Sequence, residues 1–194
     1  MSNEKDDRRV RYTKMVLKES FIKLLTQKDI SQITIKEICE DADINRATFY
    51  AHYSDQYDLM RKMENELMEN VALHLAAYTQ NDKDVDHIGM VEEIFDYIKE
   101  NAELCKLLLS ERGDLNFQKR VMSLVNDKYI SDLTSSGVIA KEDAEYVHAF
   151  IITGCVGAIQ KWLLDDMKKS SHLMAEIVVK LSVGLTSLIS QKLF

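Results

Sequence analysis

The sequence predicts an all-α protein, and three observations carry that prediction. There is no proline among its 194 residues, so no ring interrupts a helix interior. There are only six glycines, so few positions invite a turn. Apolar residues recur at three- and four-residue steps, the period of one helix face, and β-branched residues rarely alternate with polar neighbours at period two. With 46% hydrophobic and 29% charged residues, the chain can bury a sizeable core, as one domain or as a small head and a larger body.

Leu17, Phe21, Leu24 and Leu25 stand at i, i+4, i+7 and i+8 and mark a first helix from about Val10 to Gln27. Residues 28–33 break the pattern. Thr34-Ile35-Lys36-Glu37 then reads as a capping box: the Thr34 hydroxyl accepts a backbone N–H and Glu37 reaches back to the cap. Ile35, Ile38, Cys39 and Ala42 give the second helix its apolar face, and it ends by Asp43. Asn45 is a good N-cap for a third helix, Arg46 to about His52. Two short helices in so tight a connection, after a longer one, form the tri-helical arrangement whose last helix can enter a groove. Ser54 is expected to cap a fourth helix running to about Tyr78, the shaft between head and body. Residues 81–86 read as a loop. Further helices are expected at 88–99, 102–110, 116–134, 141–167 and 170–191, with Gly113 and Ser135-Ser136-Gly137 marking two of the breaks.

Composition narrows the function. Residues 1–53 carry ten Lys/Arg against nine Asp/Glu and the remainder fifteen against twenty-three, so a near-neutral head precedes an acidic body. At an overall net charge of −7 the molecule as a whole does not attract nucleic acid, and any such binding has to come from a local cluster. Cys39, Cys105 and Cys155 are odd in number, widely spaced and set in apolar helical patterns, which implies core thiols in a reducing compartment. The basic first twenty residues hold no apolar block of signal-peptide type. The longest run free of charged residues, Tyr146 to Gln160, falls short of the ~20 residues that span a bilayer; a buried helix and no membrane partner are expected. No paired carboxylates, nucleophile elbow, phosphate loop or metal-ligand spacing is present, so neither catalysis, a cofactor nor a metal is expected.

The stretch from Thr34 through Tyr53, continuing to Asp55 and Leu59, resembles the helix-turn-helix of TetR-family (TetR/AcrR-type) transcriptional regulators. Thr34, the core positions Ile35, Ile38 and Ala42, Ile44 in the turn, and the block Thr48-Phe49-Tyr50-x-His52-Tyr53 agree in register. The form Asn45-Arg46-x-Thr-Phe-Tyr-x-His-Tyr-x-Asp looks like a subgroup that includes dihydroxyacetone kinase operon regulators. The resemblance implies a helix-turn-helix DNA-binding domain over 1–53 and a helical effector-binding and dimerisation domain over 54–194, about nine helices in all. It further implies a cytoplasmic protein, nucleoid-associated when bound to a palindromic operator. Thr34, Tyr50 and His52 would hold phosphates or bases, Lys36 the backbone, and Arg46 with Thr48 would face the major groove, flanked by Asn45 and Ala47. A bidentate Arg on guanine discriminates by ~1–3 kcal/mol, which makes Arg46 the foremost specificity residue. Phe49 is the apolar exception expected to turn inward, followed by Tyr53.

Three positions depart from the family pattern. Asp43 stands where a turn glycine is usual; it tolerates left-handed backbone better than most residues but adds negative charge. Ala47 replaces another glycine. Gln56 stands where many members carry a phosphate-binding Lys, removing one charge-assisted contact.

In the body the resemblance implies that the last two helices pair with their twins in a homodimer. Gly154, Gly157 and Ala158 permit close approach beside Ile151, and Ile177, Leu181, Leu185 and Leu188 form a stripe with Gly184 nearby. Met63, Tyr97, Leu104, Leu108, Phe117, Phe150 and Trp162 are candidate wall residues for an unknown small-molecule effector, and each is also a plain core candidate. A repressor released by an effector is the first reading. A TetR-like coactivator or nucleoid-associated protein controlled by a protein partner is the second; an enzyme or lipid carrier on a helical scaffold is a third.

Overall fold

The computed structural model describes residues 2–77, 86–110, 115–124 and 141–190. Contacts divide the chain into two compact units, Met1–Leu67 and Met68–Phe194. Among the described residues every regular element is helical, as the absence of proline and the helical periodicity require.

In the first unit, α1 spans Ser2–Leu25 and buries Leu17 and Phe21 completely. It begins well before Val10. The run ahead of Val10 is polar and holds no breaker, so it extends the helix without contributing to an apolar stripe. A single 3-10 turn, Ile30–Gln32, follows, capped by Asp29, whose carboxylate accepts from Ser31 N. The capping box at α2 (Ile35–Asp41) is present: Glu37 N donates to Thr34 Oγ1 at 3.2 Å and Thr34 N donates to Glu37 Oε2 at 2.9 Å.

The end of α2 is a Schellman motif. Ile44 N reaches back to Cys39 O at 2.9 Å and Asp43 N to Glu40 O at 3.4 Å, and Asp43 is left-handed at φ 53°, the position glycine normally takes. Helix α3 is short, Arg46–Tyr50, with Asn45 Oδ1 accepting from Ala47 N at 2.8 Å. Helix α4 spans Gln56–Ala77. Its cap is Asp55, which accepts from Asp58 N at 2.7 Å, while Ser54 N donates to Asp58 Oδ2 at 3.1 Å. The side chain expected at the cap, Ser54, is therefore one residue early; a carboxylate at each end of the Asp55–Asp58 turn satisfies the free N–H groups better than one hydroxyl.

In the second unit, α5 is His87–Glu100, capped by Asp86 on Gly89 N. It is followed by α6 (Ala102–Leu109), α7 (Leu115–Leu124), α8 (Lys141–Leu164) and α9 (Ser171–Ser190). Most of the 81–86 loop, Gly113, the Ser135–Gly137 break and the last turns expected to Thr134 lie outside the described residues. Helix α9 packs along α5, and α6 packs on α8. Phe95 of α5 meets Trp162 of α8 edge to face, ring centres 5.1 Å apart, and the indole N–H donates to Lys169 O at 2.9 Å. Helix α8 ends in a second Schellman motif, Met167 N to Trp162 O at 2.9 Å and Asp166 N to Leu163 O at 3.2 Å. Asp166 and Met167 both adopt positive φ, 52° and 54°, which stops the helix short of the expected Met167.

Candidate nucleic-acid interface

The site is built on the core beneath α3. Phe49 and Ile38 are fully buried and Tyr53 nearly so. The Phe49 ring lies 5.5 Å from that of Tyr53 and edge-on to that of Tyr50 at 5.7 Å. With Phe49 turned inward, the helix leaves Asn45, Arg46, Ala47 and Tyr50 exposed, Tyr50 at 57%, and Thr48 and His52 half-buried.

Several side chains are already held in place. The Thr34 hydroxyl donates to Glu37 Oε2 at 2.8 Å, and Lys28 Nζ donates to Glu37 Oε1 at 2.6 Å. The Lys28 ammonium, then the Thr34 N–H and hydroxyl, hold the Glu37 carboxyl at about 2. Lys23 ties α1 to α2 through Asp41 at 2.5 Å. Lys62 Nζ donates to His52 O at 2.8 Å, sits 5.3 Å above the Tyr53 ring and pairs with Asp58 at 3.0 Å. Burial, with Glu66 and Asp58 nearby, pushes the Tyr53 hydroxyl up to about 12. Gln56 opens α4, half-buried.

Between α2 and the start of α3 runs an open groove of about 480 Å3, lined by Lys36, Cys39, Glu40, Asp43, Ile44, Asn45 and Arg46. Lys36, Asn45 and Arg46, expected at the interface, thus share one surface. Among the described residues Arg46 makes no ion pair, whereas Lys36 lies 3.7 Å from Glu40. Sequence reasoning missed Glu40 as a groove residue and Lys28 and Lys62 as clamps. The i, i+4 spacings of Lys36 with Glu40 and of Lys62 with Asp58 are visible in the sequence; the reach of Lys28 to Glu37 and of Lys62 to the His52 carbonyl is not.

The body candidates do not form one set. Leu104, Leu108, Phe117 and Trp162 are buried and Tyr97 is half-buried, its ring 5.9 Å from that of His74. Met63 is buried but belongs to the first unit. Phe150 is 67% exposed, so it does not line an interior of the single chain; periodicity identifies an apolar face without saying what covers it. Of the dimer candidates, Ile151 is buried, Ala158, Ile177 and Leu185 are half-buried, and Gly154, Gly157, Leu181 and Gly184 are exposed. The Leu188 side chain lies outside the described ones. A Cβ added at Gly154, Gly157 or Gly184 would meet nothing within 4 Å. Residues Asp143–Leu164 are long and apolar enough to cross a membrane by length and composition, with 33% of the most apolar window buried; the helix expected to be buried is only partly so in the single chain. Burial raises all three thiols, Cys105 to about 12, with Arg46 opposing the rise at Cys39.

Comparison with known proteins follows the same lines. The HTH-type transcriptional regulator YxbF of Bacillus subtilis (strain 168) is 28% identical over 148 residues, which cover 75% of this chain and 39% of that protein. The chain therefore matches well under half the length of that relative. Among solved structures, the dihydroxyacetone kinase operon activator DhaS superposes at a TM-score of 0.59 and 14% identity, covering 91% of this chain and 97% of its own. The regulator FadR from Bacillus subtilis, in complex with stearoyl-CoA, gives 0.63 at 12% identity, covering 87% and 97%. At such low identity these superpositions show a shared fold. The TetR family model for the transcriptional regulator C-terminal region matches residues 86–184. With that match spanning more than half of the chain, behind a helix-turn-helix head, the protein belongs to the TetR family of transcriptional regulators.

Proposed function

We propose that the protein reads double-stranded DNA through the exposed face of α3 and the groove beside it, as a homodimer on a palindromic operator, and that an effector bound in the body releases it as a repressor. The observation that carries the reading is the exposed Asn45-Arg46-Ala47 turn with Tyr50, seated on buried Phe49. Small and hydrogen-bonding side chains are what a base edge in the major groove requires. Arg46 is the guanine reader, Thr48 its neighbour, and Thr34, Tyr50 and His52 approach phosphate; Lys36 supports the backbone and Gln56 contributes without charge. To hold a phosphate oxygen, which only accepts, the Thr34 hydroxyl turns its proton from Glu37 Oε2 to the phosphate while still accepting from Glu37 N.

The dimer places two such heads on half-sites about 34–36 Å apart. Supporting it are bare glycines and exposed apolar side chains on α8 and α9: Tyr146, Phe150, Leu164, Leu181 and Val183. A covered face of this kind accounts for an apolar α8 in a chain of −7 net charge without a membrane. The effector acts by binding one body conformation better than another, since only differential affinity shifts a population. The stearoyl-CoA held by FadR supports a small-molecule effector. DhaS is an operon activator, which supports activation in place of repression as a second reading; in that reading the protein is a coactivator whose body a protein partner controls.

The test is selection from a genomic fragment library at two salt concentrations, with native protein and an Arg46→Ala, Tyr50→Ala variant. The expected result is a palindromic site, lost in the variant and weakened by salt as phosphate contacts demand. Equal, sequence-independent binding by both forms would remove the head from specific recognition. Adding candidate effectors or the adjacent gene products to the bound complex then separates release by a small molecule from control by a protein.

A further inference from the structure

The reading groove is charge-balanced. Lys36 and Arg46 share it with the carboxylates of Glu40 and Asp43. Glu40 is 3.7 Å from Lys36 and both side chains are exposed. Three further lysines of the unit are similarly committed: Lys18 to Glu66, Lys23 to Asp41 and Lys28 to Glu37. Over residues 1–67 twelve Lys and Arg face thirteen Asp and Glu. A head built for tight phosphate binding would show the opposite excess, because non-specific affinity is almost wholly electrostatic.

Resting on the DNA-reading assignment above, we infer that Glu40 and Asp43 are specificity determinants that act by rejection: they hold down binding to DNA of arbitrary sequence and leave operator binding largely in place. A phosphate approaching Lys36 must compete with Glu40, 3.7 Å from its ammonium, and one approaching Arg46 enters a groove that Asp43 also lines. The edge of a base carries no net charge, so an Arg46 guanidinium placed on a guanine O6/N7 pair escapes most of that repulsion. The two modes are therefore penalised unequally. Asp43 fits this role because its position favours glycine on backbone grounds; a left-handed φ of 53° is accepted there together with a negative charge.

The experiment compares native protein with Glu40→Gln, Asp43→Asn, the double variant and Asp43→Gly, measuring affinity for the selected operator and for a scrambled duplex across a salt series. Asn tolerates left-handed backbone as Asp does, so Asp43→Asn changes the charge alone, and Asp43→Gly changes charge and strain together. At separations of several Å in a screened, high-dielectric groove each charge is worth about a two- to fivefold change. The double variant is expected to bind scrambled DNA about four- to twenty-five-fold more tightly, with a steeper salt dependence, while operator affinity rises by less and the operator-to-scrambled ratio falls. If both affinities rise equally, or neither moves in variants whose melting temperatures match the native protein, the inference is overturned. A changed base preference at one operator position overturns it in favour of direct reading by a carboxylate. Failure of the native protein to prefer any operator is a different result, since it removes the DNA-reading assignment itself.

Discussion

Asp43 and Asp166 occupy the same place in two helix ends. Each is the left-handed residue of a Schellman motif, at φ 53° and 52°, closing α2 and α8 respectively. Left-handed backbone brings Cβ against the carbonyl oxygen, a cost of roughly 1–2 kcal/mol for an ordinary L-residue and less for Asp, whose short side chain tolerates the region. Glycine removes that cost but gains freedom in the unfolded chain. Asp166→Gly is therefore expected to stabilise the protein by up to about 1 kcal/mol. Its exposed pairing with Lys106 at 3.7 Å is too solvated to offset this. A denaturant titration showing a lower midpoint for the variant would contradict the strain argument.

Thr34 and Glu37 make the start of α2. Thr34→Ala removes the hydroxyl that accepts Glu37 N and is expected to cost about 1 kcal/mol. Glu37 adds a pH signature. Its folded pKa, about 2, lies below its ordinary 4.5, so its contribution is fully present above about pH 4.5 and is lost as pH falls from there toward 2. Thermal melts of the native protein and Glu37→Gln should converge across that window; parallel curves would show that the carboxylate does not cap the helix in solution.

His172 Nδ1 lies 2.7 Å from Glu92 Oε2, joining α9 to α5. The Glu92 carboxylate, with Glu176 and Asp86 nearby, raises the His172 pKa. A raised folded pKa means that the pair contributes fully below the unfolded value near 6.5 and fades as pH climbs through the folded one. Amide exchange in the first turn of α9 should accelerate from pH 6 to pH 8 in the native protein more than in His172→Gln. Identical pH dependence in the two would rule out the pair as a pH-dependent tie.

On the proposed dimer, Gly157→Glu places a carboxylate where an added Cβ meets nothing within 4 Å in the single chain. Glu is a better helix former than Gly, so the folded chain keeps its helicity. A charge left unpaired in a covered interface is expensive, and at least about a tenfold rise in dissociation constant is expected by sedimentation equilibrium, ~1.4 kcal/mol. A variant that dimerises like the native chain would move the interface off this face of α8.

Much of the first unit was legible because its signals are local. The Thr34–Glu37 box, the Asn45 cap and the inward Phe49 each depend on residues within one or two turns. The Asp55 cap in place of Ser54 was hidden because both residue types suit the position and only the reach of Asp58 decides between them. The contacts of Lys28 with Glu37 and of Lys62 with the His52 carbonyl were hidden for a different reason: they close distances set by tertiary folding. In the body, the apolar pattern located α8 and α9 but gave no sign that Phe150 faces out while Phe95 and Trp162 meet inside. The stop at Asp166-Met167 carried no glycine to announce it.

Only 33% of the most apolar window of α8 is buried in the single chain. Surface of that composition makes folding and association one equilibrium when a second copy provides the cover, and the stability of such a protein then depends on how much of it is present. On the proposed dimer, dilution lowers the share of the two-headed form. The cellular copy number would then act on the proposed switch as a variable beside the effector.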